Sequence, residues 1–151
     1  MAGAKPDYRL GRIVSAFLLG RNGKREEHPA VIISPDAEII QPEQFDPRLG
    51  GGEVGDNQVA VLGISTKYRH FSDPYVRLPR DSRTLLTEDC AAITNWFGVL
   101  TIPDDCEFLL GDVPPDLMLR INAEYRQVLS KRFTHLQGTL AYCLSLLGPE
   151  R

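Results

Sequence analysis

The sequence predicts a mainly β fold, a small barrel of five or more strands followed by a C-terminal α-helical segment. Two patterns predict the barrel: short apolar or alternating segments recur up to about residue 110, and turn-forming residues separate them. A third pattern predicts the helix, because apolar residues recur every fourth position in the tail. The 151 residues suffice for one core, so we expect a single domain over residues 1–151.

The first two predicted strands form a hairpin. The first covers about residues 10–19, and Asn22-Gly23 follows it as a turn signal. The second covers about residues 30–40 and is entered through Pro29, which has no N–H for a strand ladder. We therefore expect Pro29 to mark the point where the second strand begins.

The middle of the chain alternates between a loop and two further strands. Residues 42–56 contain two prolines and four glycines, which predicts a long surface loop. Residues 59–64 are apolar enough for a buried strand. Residues 75–78 alternate between polar and apolar, which predicts a half-exposed strand that ends at Pro79.

The last part of the predicted barrel contains one helical turn and two strands. Residues 87–92 are predicted to form the turn, with Thr87 as its cap and Asp89 in the first turn. The final strands are predicted at residues 94–102 and 107–110.

The tail has a helical period. Pro114-Pro115-Asp116 is typical of a helix start, and Gly148-Pro149 is typical of a stop. One or two helices are therefore expected over about 114–147, since Gly138 would either break the run or let another backbone pack closely. The apolar stripe, expected to contact the core or a dimer partner, comprises Leu117, Ile121, Tyr125, Leu129, Phe133, Leu136, Leu140, Leu144 and Leu147.

Composition favours an ordinary soluble protein. Hydrophobic residues make up 42% and charged residues 25% of the chain, and no apolar run is long enough to span a bilayer. The N-terminus lacks the apolar core of a signal peptide, so a cytoplasmic location is expected. Cys90, Cys106 and Cys143 have no close pairing, so we expect buried thiols and neither a disulfide framework nor a metal or other cofactor site.

Charge is unevenly distributed. The net charge of -3 counts mildly against a nucleic-acid partner. Five basic residues nevertheless cluster within 17 positions, either as a patch that attracts an anionic ligand or as a solvated surface. They are Lys67, Arg69, Arg77, Arg80 and Arg83.

Six segments, in this order, resemble the PemK/MazF-like toxins over roughly residues 10–130. They are Gly11-Arg12-Ile13-Val14, residues 23–34, Ile64-Ser65-Thr66-Lys67, Tyr75-Val76-Arg77-Leu78, Leu86-Thr87-Glu88-Asp89-Cys90 and Gly111-Asp112-Val113-Pro114-Pro115. The resemblance implies an SH3-like β-barrel over about 10–111 with the helical segment after it. It also implies an endoribonuclease that cleaves single-stranded RNA without metal, forms a homodimer and is restrained by an antitoxin peptide.

The resemblance also implies a site. The chemistry needs a base, an acid and positive charge, because the ribose 2′-hydroxyl attacks the adjacent phosphate. His28 stands where the family has a catalytic Arg, and Arg25, in the preceding loop, is expected to supply the missing charge. Ser65 and Thr66 match the site hydroxyls, and Asp89 matches the acidic residue. The RNA-binding cations of the two flanking loops are Lys24, Lys67 and Arg69.

Each of these assignments has an alternative. His28 is equally well explained as a surface residue at a strand start, and Asp89 as the first-turn acid of a helix. The chain is then either a catalytically inactive relative that binds RNA or a protein partner, or a structural barrel unrelated to toxins.

Overall fold

A computed structural model describes residues 7–20, 23–42, 57–70 and 72–132. Within these residues the chain forms one antiparallel sheet and one α-helix, in the sheet order β4-β5-β3-β2-β1-β6. The predicted mainly β fold with a C-terminal helix is therefore confirmed. The elements are β1 (Arg12–Leu19), β2 (Arg25–Ile32), β3 (Gln58–Ser65), β4 (Tyr75–Leu78), β5 (Cys90–Thr101), β6 (Cys106–Asp112) and α1 (Pro115–Arg132).

Both faces of the sheet are apolar, because alternate side chains of each strand point to opposite faces. On one face, Leu62 and Ile64 of β3 belong to the same buried cluster as Ile121 and Tyr125 of α1. On the other face, which we call the helix-free face, Val61 belongs to a second cluster with residues of β1, β2 and β5. The strands are thus buried on both sides, as the apolar runs predict.

The sheet curls around the second cluster. A Cβ placed on Gly98 of β5 would lie 3.1 Å from Leu18 Cδ2 of β1, although these strands are not neighbours in the sheet. The indole of Trp96 donates a hydrogen bond from Nε1 to the Leu19 carbonyl oxygen at 3.0 Å. These contacts bring β5 against β1 and give the sheet its barrel-like form.

A second closure joins β6 to the segment between β4 and β5. The N–H of Gly111 donates to the Thr84 carbonyl at 3.0 Å, and the N–H of Asp112 donates to the Arg83 carbonyl at 2.8 Å. A Cβ on Gly111 would overlap the carbonyl oxygen of Arg83, so the close approach requires glycine.

The second strand differs from its prediction at both ends. β2 begins at Arg25, because residues as early as Arg25 already pair with β1, and Pro29 lies opposite Ser15 inside that ladder. Pro29 instead precedes the β2–β3 ladder, whose pairing begins at Ala30. The strand also ends at Ile32, although the sequence predicted strand up to residue 40. Within that predicted range, Asp36–Glu38 forms a 3-10 turn instead.

The predicted helical turn at 87–92 is wrong. Thr87 and Asp89 lie in irregular backbone, and β5 begins at Cys90. The Asp89 carboxylate accepts hydrogen bonds from three side chains and does not cap a helix. Strand was correctly predicted at 59–64, 75–78 and 107–110, and at 94–102 except for its last residue, since β5 ends at Thr101. β5 begins earlier than expected, and β6 extends further at both ends.

The first part of the predicted helical stripe is confirmed. Ile121, Tyr125 and Leu129 of α1 are buried against the sheet. The stripe beyond residue 132 and most of the predicted loop at 42–56 lie outside the described residues. In the parts of the chain described above, no helix has both the length and the apolar character needed to cross a membrane.

We predict that Gly111→Ala destabilises the fold by about 2–4 kcal/mol. The new methyl group must displace the Arg83–Thr84 backbone, which adds an overpacking cost to the lost Gly111–Thr84 hydrogen bond. Urea denaturation would measure this. Gly98→Ala is the matched control, because its methyl group meets only the ends of the Leu18 and Val61 side chains and no backbone, and it should cost less than about 1 kcal/mol. Equal losses in the two variants would contradict this closure.

Candidate functional site

Strand register places Ser65, a predicted site residue, in one row with Arg77, which was not predicted as one. Arg77 of β4 pairs with Ala91 of β5, which pairs with Ser65 of β3, so these residues form a row across the sheet. On the other side of β3, Gly63 pairs with Ala30 of β2. Because side chains alternate, Ser65 lies on the same face as Gly63.

The same alternation places His28. It lies two residues before Ala30 on β2 and pairs with Ala16 of β1, which belongs to the cluster on the helix-free face. His28, Ser65 and Arg77 therefore all lie on the helix-free face, where β2 begins and β3 ends.

A cluster of charges surrounds Asp89. The Tyr68 hydroxyl donates a hydrogen bond to the Asp89 carboxylate at 2.8 Å, and Arg69 and Arg77 each donate through Nη2 at 3.1 Å. Both arginine side chains remain more than half exposed, at 64% and 61%. One carboxylate thus holds two guanidinium groups at the surface, and we call these four residues the Asp89 cluster.

Electrostatics fix the protonation state of Asp89. The hydrogen bond from Tyr68, together with the hydrogen bond and charge of Arg77 and the charge of Arg69, holds the pKa of the Asp89 carboxyl below its ordinary value. Asp89 is therefore ionised at neutral pH. It acts as an acceptor that orients cations and has no proton to donate.

Tyr68 anchors the cluster to the core. It lies in the 3-10 turn Tyr68–His70 directly after β3, and its ring is buried with Ala91 and Ile93 of β5. Burial, and then the hydrogen bond to Asp89, raise the pKa of the Tyr68 hydroxyl, which keeps it a donor. The turn itself is shaped by the Lys67 N–H, which donates to Ser65 Oγ at 3.0 Å.

His28 lies beside the only tryptophan of the chain. The two rings meet edge to face, with centroids 4.9 Å apart and an interplanar angle of 77°. Trp96 also covers Gly63, where a Cβ would overlap the indole ring, and it packs against the cluster of Tyr68, Ala91 and Ile93. A continuous set of packed side chains therefore connects His28 to the Asp89 cluster.

The remaining predicted residues are placed differently. Arg25 lies three positions from His28 on the same strand, so alternation directs it to the opposite face, and its guanidinium pairs with Asp105 at 2.9 Å. Lys24, Thr66 and Lys67 are exposed beside the ends of β2 and β3. The structure thus joins Arg69 to Asp89 and places Ser65 and His28 on the face of Arg77, whereas Arg25 pairs with a different carboxylate.

Two residues of this arrangement were missed as site residues from the sequence. Arg77 was recognised only as part of a basic patch, and Tyr68 was not singled out. The alternation of residues 75–78 predicts which side chains share a face, but only the register with β5 places Arg77 beside Asp89. No sequence signal identifies the hydroxyl of Tyr68 as a partner of Asp89.

Side chains that can ligate a metal, and two free thiols, occur among the described residues. Among the described residues, no group of three or more His, Cys, Asp or Glu side chains has a metal-binding arrangement. Burial raises the pKa of Cys90 to about 11 and that of Cys106 to about 12, so both remain protonated thiols at neutral pH.

The described residues line a smaller and a larger cavity. A cavity of about 160 Å³ lies against Trp96, Arg25 and Leu19 on the barrel wall. A cavity of about 460 Å³ lies between α1 and the segment after β2, and Asp36 and Arg126 are its only charged lining residues. Neither of these two cavities is lined by the Asp89 cluster, whose two arginine side chains are more than half exposed.

Comparisons with known proteins support the fold. No family model matches the sequence, and no curated protein matches it. Three crystal forms of the MazE–MazF complex from Deinococcus radiodurans are similar in structure. In Form III, the similarity covers 82% of this chain and 97% of the other, with a TM-score of 0.55 and 14% identity. In Form II, the similarity covers 83% of this chain and 98% of the other, with a TM-score of 0.55 and 14% identity. In Form I, it covers 83% and 99%, with a TM-score of 0.54 and 15% identity. The predicted resemblance in fold to the PemK/MazF-like toxins is confirmed.

We predict that Asp89→Asn lowers stability in a pH-dependent manner. Because the folded-state pKa of Asp89 is below its ordinary value of 3.8, its ion pairs stabilise the fold above about pH 4. This contribution disappears as the pH falls through the lowered folded-state pKa. The difference in unfolding free energy between wild type and variant should therefore be largest near pH 7 and shrink below about pH 4. Urea denaturation between pH 7 and pH 2.5 would measure it.

The matched control is Asp104→Asn, which removes one exposed carboxylate from the turn between β5 and β6. A difference for Asp89→Asn that stays constant from pH 7 to pH 2.5 would contradict the role of its charge.

Proposed function

We propose that this protein binds single-stranded RNA at the exposed end of the helix-free face, beside the Asp89 cluster, and cleaves it, as a toxin-type endoribonuclease of the PemK/MazF-like class. One observation carries the proposal: Asp89 holds the guanidinium groups of Arg69 and Arg77 on the face that also presents Ser65 and His28. The MazF-type fold supports the choice of class, although at 14–15% identity the likeness concerns the fold alone.

The proposed reaction needs no metal. The ribose 2′-oxygen forms a bond to the adjacent phosphorus, the bond to the 5′-oxygen of the next nucleotide breaks, and a 2′,3′-cyclic phosphate remains. One group must take the proton of the 2′-hydroxyl and one must protonate the leaving oxygen. His28 is the acid–base group in this scheme, with solvent completing the proton transfers.

The Asp89 cluster supplies the charge. Phosphoryl oxygens gain negative charge in the transition state, and fixed cations stabilise it. Arg69 and Arg77 offer N–H donors that are already oriented by Asp89, so less side-chain entropy is lost when a phosphate binds. Asp89 and Tyr68 are positioning residues in this proposal, since they act through the arginines.

A binding-only relative is the second candidate. It is favoured by the ion pair between Arg25 and Asp105, which takes away the charge expected to replace the family's catalytic Arg. It is also favoured by the ionised state of Asp89, which leaves this carboxylate with no proton to donate to the leaving oxygen. Such a protein would hold RNA, or a protein partner, at the same surface.

Assembly is part of the proposal. We infer a homodimer, because Phe17, Leu19 and Phe108 on β1 and β6 are large apolar side chains exposed by 37%, 65% and 54%. We also infer an antitoxin peptide as a regulatory partner and a cytoplasmic location, by analogy with the MazE–MazF complexes of similar fold. Residues 1–151 are proposed to form a single domain.

We predict that purified protein cleaves a long unstructured RNA in EDTA, and that His28→Ala slows cleavage by about 10²- to 10⁴-fold. This range is the usual effect of removing one acid–base group. The rate would be followed on a denaturing gel, and mass spectrometry of the products should detect the cyclic phosphate. His70→Ala, at an exposed position after Arg69, is the matched control and should keep the wild-type rate.

The outcomes separate the two candidates. Wild-type protein that leaves several unrelated RNAs uncut, while still binding them, would overturn the nuclease and favour the binding-only relative. Protein that neither cuts nor binds RNA would overturn both.

We predict that Lys67→Gln weakens RNA binding and flattens its salt dependence. Each phosphate contact on a single strand contributes about −0.7 to the slope of log K against log salt concentration, because counterions are released. The slope of the variant should therefore be less steep by about 0.7. Fluorescence anisotropy between 50 and 300 mM salt would measure it. Lys131→Gln on the exposed surface of α1 is the control, and an equal change there would indicate a nonspecific charge effect.

A further inference from the structure

An exposed aromatic ring borders the Asp89 cluster. Tyr75 begins β4, an edge strand of the described sheet, and is 39% exposed. It lies two residues before Arg77, so both side chains point to the same face. Neither the resemblance in sequence nor the proposed function gives Tyr75 a role.

The Tyr75 ring is held in place by the cluster itself. It packs on the buried Tyr68 ring, with centroids 4.8 Å apart and planes tilted by 54°. The Arg69 guanidinium lies 5.2 Å from the centroid of the Tyr68 ring, and the Tyr68 hydroxyl bonds Asp89. Tyr75 is therefore a partly exposed ring on a rigid support, with two oriented cations beside it.

This combination fits one nucleotide of a single strand. Unpaired bases bind by stacking on aromatic rings, and their phosphates bind arginine guanidinium groups. A tyrosine next to Arg77 on the same strand face offers both at neighbouring positions. Duplex bases are already stacked on each other and would not need the ring.

We propose that Tyr75 is a base-stacking platform and that, with Arg77 and Arg69, it forms a subsite for one nucleotide of single-stranded RNA. The subsite rests on the proposed RNA-binding function and adds a contact to a base. It is sequence-tolerant, because every base has a stacking face. It also places a nucleotide at the β4 edge of the sheet, on the Arg77 side of Ser65.

The test compares two probes of equal length. The first is a fluorescent 2′-O-methyl adenosine 10-mer, which lacks the attacking hydroxyl and stays intact. The second is the same backbone without bases. Tyr75→Ala should weaken binding of the first by about 5- to 150-fold, the usual effect of losing one base–aromatic stack. It should leave binding of the second unchanged, whereas Tyr75→Phe should bind both probes as the wild type does.

Controls separate this subsite from the wider proposal. Circular dichroism and thermal unfolding must match the wild type for each variant. Arg77→Ala should weaken both probes, since its contact is to phosphate. A deoxyadenosine 10-mer tests whether the subsite distinguishes RNA from DNA, and equal affinity would mean that base and phosphate alone are recognised.

Three results would overturn the subsite. In the first, Tyr75→Ala binds both probes as the wild type does while Lys67→Gln still weakens binding, so RNA binding stands without this contact. In the second, Tyr75→Ala weakens the binding of a poly-glutamate peptide as much as the binding of the RNA, which would indicate that the surface binds an acidic protein segment. In the third, the wild type binds no probe, and the proposed function fails as well.

Discussion

The packing of Trp96 on Gly63 is the interaction on which the rest of the structure depends. The register between β3 and β5 shifts between the pairs Leu62–Phe97 and Ile64–Ala92, which frees four residues of β5 from that ladder. A bulge of this kind bends a strand and redirects a side chain. Here it directs the indole over Gly63, where no Cβ is present, and lets Nε1 reach the Leu19 carbonyl of β1.

Three consequences follow from this one contact. The barrel closes, because β5 is tied to a strand that is not its neighbour. The ring of His28 meets the ring of Trp96 edge to face, and this contact restricts the orientation of the imidazole. The indole also packs against the cluster of Tyr68, Ala91 and Ile93, so the two polar regions of the face share one apolar support.

The Asp89 cluster shows how an acidic protein can present local positive charge. The chain has a net charge of -3, yet two of its arginines are held at one place by a single carboxylate. Two guanidinium groups repel each other, and the ionised carboxylate of Asp89, which is bonded to both, offsets that repulsion.

His28 stands where the PemK/MazF-like toxins have an Arg, and this difference has a defined physical meaning. Arg carries a permanent charge, whereas His titrates and transfers protons. In the proposed reaction, charge is supplied by Arg69 and Arg77, and proton transfer by His28.

The sequence by itself determined the class of fold, the position of most strands and the buried stripe of α1, because these depend on local periodicity and turn residues. Residues 75–78 and 59–64 were predicted within one residue at each end, and Ile121, Tyr125 and Leu129 are buried as their spacing requires. Pro29 led to a wrong prediction for the start of β2. Its missing N–H affects pairing with β3 only, and β2 already pairs with β1 before Pro29.

Only the tertiary structure decided the partners of the polar side chains. Arg25 and Asp89 were both expected at one site, but Arg25 meets Asp105, which is 80 residues away in the chain. Asp89 meets Tyr68, Arg69 and Arg77, whose approach depends on the β4–β5 register and on a turn after β3. Periodicity specifies which face of a strand a side chain takes, because that is a local property of the backbone. It does not specify which side chains from distant strands meet there, because that depends on register, curvature and closure of the whole sheet.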